Sequence, residues 1–241
     1  MLESLTTAAL LLDSRQTVER AWRAQLRETA AAHTDSACML VNLSPNMQSS
    51  WNFNNTTIHD QLVHDAIRHC RLHTSTYNEH GVMLYNGDSA TAARRWLQLF
   101  RDGTATYFCA FEQDHQTTPD EKTPLYNERV GAELAHLVLF LSTACDLAEN
   151  DTDFTLRCGL LNLRGRMIHA CGKKNMRRIS QADHIVLPAQ DIVLPQTTVT
   201  WHDALAPIFV ILEHAAGFGY MRSWVINALK EHDLEIDPLD Y

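Results

Sequence analysis

Histidines and acidic residues are concentrated in the segment 59–80, where they could bind a metal ion. The chain has 13 histidines, and His69 and His73 are four residues apart within this stretch. At that helical spacing two imidazoles can share one metal, and Asp65 extends the same row by one turn. The sequence therefore suggests a divalent metal site at Asp65, His69 and His73. The alternative is that these are core or boundary histidines with hydrogen-bonded ring nitrogens.

A second arrangement starts from the doublet His64-Asp65. Metal-dependent phosphohydrolases of the HD type use such a doublet together with an upstream His and a distant downstream Asp, and His33 and Asp146 lie at suitable separations. The metal would activate a water molecule for attack on a phosphoester. Two features count against this hypothesis. His64 falls on the polar side of its helix, and the strand-like segments elsewhere do not suit an all-helical fold.

A third pattern is a segment without acidic residues, from Phe154 to Ala182. It holds seven of the 20 basic residues, so the other 13 are set against 29 acidic residues. The net charge of −9 is therefore the sum of a +7 segment and a −16 remainder. The side chains that we expect to meet an anionic partner are Arg164, Arg166, Lys173, Lys174, Arg177 and Arg178.

The turn Gly172–Arg178 lies between two strand-like segments, so we predict a basic hairpin within 157–178. Such a hairpin can lie along a phosphate backbone, and arginine offers a bidentate fork to phosphate. An acidic protein partner would meet the same charges. The structural alternative is that these residues pair with the acidic remainder of the chain, or protect an edge strand from aggregation.

Other chemistries lack a sequence signal. The chain contains no P-loop, no nucleophile elbow and no dinucleotide-binding glycine motif, so we expect no organic cofactor and at most a divalent metal. Cys38 and Cys109 lie in apolar strands and look inert. Glu128 and Glu133 are typical of a solvated helix face.

The periodicity of apolar residues outlines the elements that must position these groups. Helices are expected over 2–32 with a break near 13–14, 58–74, 90–101, 127–149, 201–216 and 219–232. Strands are expected over 38–43, 82–85, 105–111 and 154–169. Pro188 and Pro195 favour an edge or irregular strand over 184–194. The alternation of strands and helices in the first half suggests parallel pairing.

These elements predict a mixed α/β or α+β fold. An N-terminal layer of alternating strands and helices would occupy 1–112, and a polar linker or long loop 113–126. An α+β region over 127–241 would hold a central helix, the basic hairpin and two terminal helices. The two regions could share one core.

The compartment and the function are expectations of the same kind. The six cysteines form no CxxC pair, and no secretory leader or membrane-spanning apolar run is evident, so we expect reduced thiols, a cytoplasmic protein and no membrane contact. The leading hypothesis is an intracellular accessory or regulatory binding protein, a complex subunit with a protein partner or nucleic acid at the hairpin. A metal-dependent phosphohydrolase is the alternative. Aromatic residues over 201–224 suggest core or a docking surface, and the acidic tail Glu231–Tyr241 a solvated end or a partner contact.

Overall fold

The chain is represented by a computed structural model that describes residues 2–47, 50–51, 56–89, 92–111, 124–148, 153–170, 176–195 and 201–218. Within these ranges the fold is mixed α/β, as the sequence predicted at the level of class. Its four helices are α1 (Leu2–Ala32), α2 (Thr56–Cys70), α3 (Asn127–Ala148) and α4 (Trp201–Ala215). Its eleven strands are β1 (Cys38–Pro45), β2 (Thr74–Asn78), β3 (Gly81–Tyr85), β4 (Arg95–Phe100), β5 (Ala105–Ala110), β6 (Leu125–Tyr126), β7 (Asp153–Leu161), β8 (Met167–His169), β9 (Arg177–Ile179), β10 (Ile185–Val186) and β11 (Gln190–Val193).

Eight of these strands form one antiparallel sheet. Its order is β10-β7-β1-β5-β4-β3-β2, and β11 also pairs with β7. The centre is β1, which pairs with β7 from Cys38 opposite Leu161 to Pro45 opposite Phe154. Strands from the segments 1–112 and 127–241 therefore lie side by side in the same sheet. Residues 113–123 of the expected linker 113–126 lie outside the described part of the chain, and β6 lies at the end of the linker.

The expectation of parallel pairing is wrong, since every described pair in this sheet is antiparallel. Its source was the helix predicted over 90–101, where the structure has strand β4 instead. In β4 Leu97 and Leu99 belong to the larger core on one face of the sheet, whereas Trp96 packs against the smaller core on the other, a period of two that fits a strand. With β4 extended, residues 86–94 connect it to β3 and residues 101–104 to β5. Connections this short give antiparallel neighbours, because a parallel pair needs a crossover of about a dozen residues or more.

The two faces of the large sheet are covered differently. Helices α2, α3 and α4 share the larger core with the sheet residues that project to one face, among them Met39 and Tyr107. Helix α1 packs on the opposite face through a smaller core. The close approach of α1 depends on Gly159 in β7, because a Cβ atom there would come within 2.5 Å of Leu26 Cδ2. The break that we expected near 13–14 is absent from α1.

Helix α3 is the core helix of the protein. By length and composition it could also span a membrane, but 61% of its most apolar window is buried inside the protein. It packs against both α2 and α4. The aromatic residues of α4 are part of the same core, since Trp201 and Phe209 are buried. The second terminal helix, predicted over 219–232, lies outside the described residues.

A small second sheet lies beside the large one, in the order β6-β8-β9. β6 and β8 are parallel, whereas β8 and β9 are antiparallel. β8 and β9 are thus the two arms of the predicted basic hairpin, and the residues 171–175 between them lie outside the described chain. Strands β10 and β11 occupy the edge of the large sheet, where the prolines predicted them.

Candidate binding surface

Strand β9 carries the exposed part of the basic segment. Arg177, Arg178 and Ile179 are all exposed, and Ile179 retains 59% of its accessible surface. Among the described residues, β9 pairs with β8 alone, so its other edge faces away from the sheet. We call Arg177, Arg178 and Ile179, with the outward side of their backbone, the β9 edge.

The register of the hairpin shows which backbone groups face outward. Ala170 N donates to Met176 O at 2.9 Å, and Ser180 N donates to Arg166 O at 2.8 Å. Bonded pairs alternate along an antiparallel ladder. The N–H and C=O groups of Arg177 and Ile179 therefore point to the outer side, where an added strand would bond to them.

The side chains of the small sheet also divide between two faces. Arg177 lies opposite His169 in β8, and His169 lies beside Tyr126 in β6, so these three residues share the outer face. The rings of Tyr126 and His169 stack with their centroids 4.5 Å apart. Ile179 belongs to the same face because side chains alternate along a strand. The outer face therefore combines a cation, a stacked aromatic pair and an exposed aliphatic group.

Arg178 lies on the inner face, against the end of α4. Its guanidinium carbon is 5.9 Å from the centroid of the Phe218 ring. A Cβ atom on Gly217 would lie 3.0 Å from Arg178 Nη1, which places the cation directly against the helix terminus. The carbonyl end of a helix is the negative end of its dipole, so this is a favourable position for a cation.

The end of α4 has a geometry that requires glycine. Gly217 has a φ of 84°, in the left-handed region. Phe218 N donates to Glu213 O at 2.8 Å and Gly217 N to His214 O at 2.9 Å, the two bonds of a Schellman cap. This cap fixes Phe218 and Gly217 where Arg178 meets them.

A groove of about 260 Å³ runs between the β9–β10 region and the end of α4. It is lined by Ile168, Arg178, Ile179, Ser180, Gln181, Ala182, Ile185, Ala215, Ala216 and Gly217. The lining is mostly aliphatic, with Arg178 as its cation. The groove therefore suits apolar side chains that approach along β9.

The structure separates the other predicted anion-binding residues from this surface. Arg166 is buried with 3% exposure, and its guanidinium donates to the carbonyls of Asn162 at 2.8 Å and Asp35 at 2.9 Å. Arg164 is exposed but forms an ion pair of 2.9 Å with Asp183. Arg166 therefore stabilises a loop inside the protein and does not face a partner. Lys173 and Lys174 lie outside the described residues.

The structure also separates the predicted metal ligands. Helix α2 ends at Cys70, and Arg71 has a left-handed φ of 56°. His73 therefore leaves the helix before it can align with His69, and the i,i+4 arrangement is absent. Asp65 is buried, and its Oδ1 accepts a hydrogen bond of 3.0 Å from Gln61. In the described part of the chain no group of three or more His, Cys, Asp or Glu side chains could hold a metal.

The second metal hypothesis meets a different obstacle. The ring of His33 packs on Phe108 with centroids 4.4 Å apart, and Phe108 belongs to the core on the α1 face. His64 and Asp65 are on α2, which packs on the opposite face. The large sheet therefore lies between His33 and the His64-Asp65 doublet. Asp146 is exposed near the end of α3.

A buried polar cluster beneath α3 was missed by the sequence analysis. Glu133, expected on a solvated helix face, is 8% exposed. Its carboxylate accepts hydrogen bonds from Arg95 Nη2 at 2.7 Å and from the Tyr107 hydroxyl at 2.6 Å. The signal was its spacing, because Glu133 lies three residues after Val130 and four before Leu137, on the apolar stripe of the helix.

This cluster is tuned to hold its charges inside the protein. Burial favours a lower pKa for Arg95, but the carboxylate of Glu133 outweighs it and the pKa is raised above the usual range. Burial and the same carboxylate raise the pKa of the Tyr107 phenol. Arg95 therefore stays protonated beside the Glu133 side chain, and the cluster works as a structural support.

The described cysteines are unreactive, as expected for Cys38 and Cys109. All five are buried, and no disulfide forms among the residues that the structure covers. Burial raises the pKa of Cys38, Cys109 and Cys158 to about 12. Because the thiolate is the nucleophile, thiols held in the neutral form are poor candidates for catalysis.

Comparison of the chain with protein-family models, with curated proteins and with solved structures found no match.

Proposed function

We propose that this protein is an accessory or regulatory binding protein that captures an extended acidic segment of a partner protein at the β9 edge. The observation that carries the proposal is the geometry of β9. Its three residues are exposed, two of them are arginines, and no strand in the described part of the chain pairs with its outer side.

The backbone of β9 supports recognition by strand addition. An exposed strand edge presents a row of N–H and C=O groups that an incoming peptide can bond. Here the outward groups belong to Arg177 and Ile179. Backbone bonds of this kind supply affinity for any extended chain, whereas the side chains on either face supply the selectivity.

The side chains favour a partner that is both acidic and apolar. Arg177 is the exposed cation on the outer face, and its guanidinium can bind a carboxylate with two parallel hydrogen bonds. Aliphatic residues of the partner would enter the groove of about 260 Å³ on the inner face. A segment with acidic and apolar residues in alternation would satisfy both faces at once.

The distribution of the cations that the structure describes favours a protein partner over nucleic acid. Arg166 is buried, and Arg164 is paired with Asp183. Arg178 is held against the end of α4. Duplex binding depends on neutralising several phosphates along a backbone. A short strand of mixed cationic and aliphatic character is better matched to a peptide.

The test is a binding measurement with defined probes. A labelled peptide of alternating Glu and Val is compared with one of alternating Lys and Val and with a labelled random-sequence DNA duplex, each over a salt series. We expect the Glu-Val peptide to bind most tightly, with a weak dependence on salt. Preferential binding of DNA, with a steep loss of affinity as the salt concentration rises, would show that the partner is a nucleic acid and not a protein.

Two variants link binding to β9. Ile179→Pro removes one outward N–H group that an added strand needs, and Arg177→Glu reverses the exposed charge. Both should weaken the Glu-Val peptide by about tenfold or more, because they remove a backbone bond and a charge-assisted bond. The matched control is Arg23→Glu, an exposed arginine of α1 that forms an ion pair with Glu19 in the same helix. Equal binding by the parent and both β9 variants would refute the proposal.

A further inference from the structure

Building on the proposed function, we propose that residues 233–237 of the same chain are a ligand of the β9 edge and compete there with the partner. The segment lies outside the described residues, but its sequence is complementary to the surface that it would meet. The protein would then control access to its own binding site.

The sequence of the segment has the pattern of a two-faced strand. Acidic and apolar residues alternate in the order Asp233-Leu234-Glu235-Ile236-Asp237. In an extended chain successive side chains point to opposite faces. The three carboxylates would therefore share one face and the two aliphatic side chains the other. Pro238 follows at once, and a proline ends pairing because it has no N–H group to donate.

The two faces of this segment match the two faces of the β9 edge. On the outer face Arg177 would meet the carboxylates, which would also remain accessible to water. On the inner face Leu234 and Ile236 would enter the groove beside Ile185 and Ala216. A shift of the register by one residue would place carboxylates in the aliphatic groove. The alternation therefore selects the register.

Chain connectivity brings the segment to this surface. The described chain ends at Phe218, whose ring lies under Arg178 at 5.9 Å, on the rim of the groove. The connection from 218 to 233 could reach about 50 Å if extended. If 219–232 is helical, as its sequence predicts, it spans about 21 Å. Either length is sufficient for the segment to return to β9.

Attachment to the same chain gives the segment an advantage over a separate partner. A tethered ligand binds as if it were present at an effective concentration that can reach the millimolar range. A weak contact of alternating acidic and apolar residues would then occupy the surface until a tighter partner displaces it. The expected behaviour is autoinhibition that a partner with more contacts relieves.

The test uses the full chain with the charges of the segment removed. The variant Asp233→Asn, Glu235→Gln, Asp237→Asn is compared with the parent and with a control that loses three exposed acids elsewhere, Glu28→Gln, Glu79→Gln, Asp88→Asn. Hydrogen exchange at the amides of Arg177 and Ile179 is the first measurement. We expect exchange to be about tenfold faster in the segment variant than in the parent, because these amides lose the bonds that protect them. The control should match the parent.

The second measurement is binding of a labelled peptide with the sequence of residues 231–240. It should bind the segment variant about tenfold more tightly than the parent, because the parent presents its own tethered copy. The control should again match the parent. Protection of the β9 amides should be independent of protein concentration, whereas protection that is lost on dilution would assign the contact to a second copy and overturn the inference.

The outcomes separate this inference from the proposed function. Equal exchange and equal peptide affinity in parent and segment variant would overturn the autoinhibitory contact. If the Glu-Val peptide still binds the parent and is lost in Arg177→Glu, the proposed function stands without it. If neither peptide binds any form of the protein, both proposals fail.

Discussion

Arg166 and Arg177 belong to the same acid-free segment, yet the fold assigns them opposite roles. Arg166 is 3% exposed and donates to the backbone carbonyls of Asn162 and of Asp35, which follows α1, whereas Arg177 projects from an exposed strand. The first contributes to the stability of the fold, and the second is available to a partner. A count of basic residues cannot distinguish these roles, because only burial and hydrogen bonding separate them.

The contrast extends to the buried cluster around Glu133. There Arg95 and Glu133 are both largely buried, and the Tyr107 hydroxyl completes the bonding of the carboxylate. A charge inside the protein must be paired because desolvation is costly, whereas a charge on the β9 edge remains hydrated. Substitutions in the interior should therefore change stability, and substitutions on β9 should change binding. The predictions below test this division.

The largest effect is expected at Glu133. Glu133→Ala leaves the Arg95 guanidinium buried without its carboxylate, and breaking a buried pair in this way costs about 3–5 kcal/mol. The free energy of unfolding, measured by urea denaturation, should fall by that amount. Glu79→Ala, at a side chain that is 84% exposed, is the control and should be neutral. A loss below about 1 kcal/mol at Glu133 would contradict a structural role for the ion pair.

The next effect is expected at Arg166. Arg166→Met retains much of the side-chain volume but removes the bonds to the carbonyls of Asn162 and Asp35, which should reduce the free energy of unfolding by about 2–3 kcal/mol. Affinity for the Glu-Val peptide should remain that of the parent. The matched substitution Arg177→Met should change the free energy of unfolding by less than about 0.5 kcal/mol and should weaken binding of the Glu-Val peptide. If Arg166→Met alone weakened peptide binding while the protein stayed folded, the assignment of a structural role to Arg166 and a binding role to Arg177 would be wrong.

A smaller loss of stability is expected at Gly217, where the end of α4 meets Arg178 of β9. Gly217→Ala requires a left-handed φ from a residue with a Cβ atom, at a cost of about 1 kcal/mol. The new methyl group would also lie 3.0 Å from Arg178 Nη1, so the guanidinium must shift. We expect a modest loss of thermal stability together with weaker peptide binding. Gly87→Ala, at a glycine with a positive φ where an added Cβ atom meets nothing within 4 Å, serves as the comparison. A parent-like affinity in Gly217→Ala would exclude Arg178 from the binding surface.

The smallest effect concerns pH. Burial lowers the pKa of His136, a shift that the Glu133 carboxylate opposes and Arg71 reinforces. Between this lowered pKa and the unfolded value of about 6.5, the unfolded chain binds more protons than the folded one. The stability due to neutral His136 is thus fully present above about pH 6.5 and declines as the pH falls below it.

Urea denaturation across the range from about pH 7.5 to about pH 5 checks this dependence. The free energy of unfolding should depend less steeply on pH in His136→Gln, because glutamine cannot take up the proton. A His64→Gln variant is the control, because the His64 side chain is 70% exposed. An identical slope in the parent and His136→Gln would show that His136 does not contribute.

The sequence was sufficient to predict a helix or strand where the pattern of residues within that element decides its structure. Helix α3 was predicted over 127–149 and is observed over Asn127–Ala148, because apolar residues recur along it at helical spacing. The extended segment 184–194 was placed at a sheet edge because proline lacks a donor, and β10 and β11 lie there. In both cases local chemistry decides the outcome.

The sequence alone was insufficient to predict structure that depends on contacts between residues distant in the chain. The segment 90–101 has residues that suit a helix, but pairing with β3 on one side and β5 on the other makes Arg95–Phe100 a strand. The role of Glu133 depends on Arg95 and Tyr107, which are distant in the chain. Arg166, predicted to meet a partner, is likewise buried by a contact that the sequence does not show, since its guanidinium donates to the carbonyl of Asp35.

We propose that β9 binds an extended acidic segment through the Arg177 side chain and the outward backbone groups of Arg177 and Ile179. Binding of the Glu-Val peptide to the parent, Arg177→Glu and Arg166→Met, each checked for folding by circular dichroism, tests it most directly. The account predicts tight binding by the parent and Arg166→Met, and a loss of about tenfold or more in Arg177→Glu. Equal affinity in the parent and Arg177→Glu, or a loss confined to Arg166→Met, would contradict it.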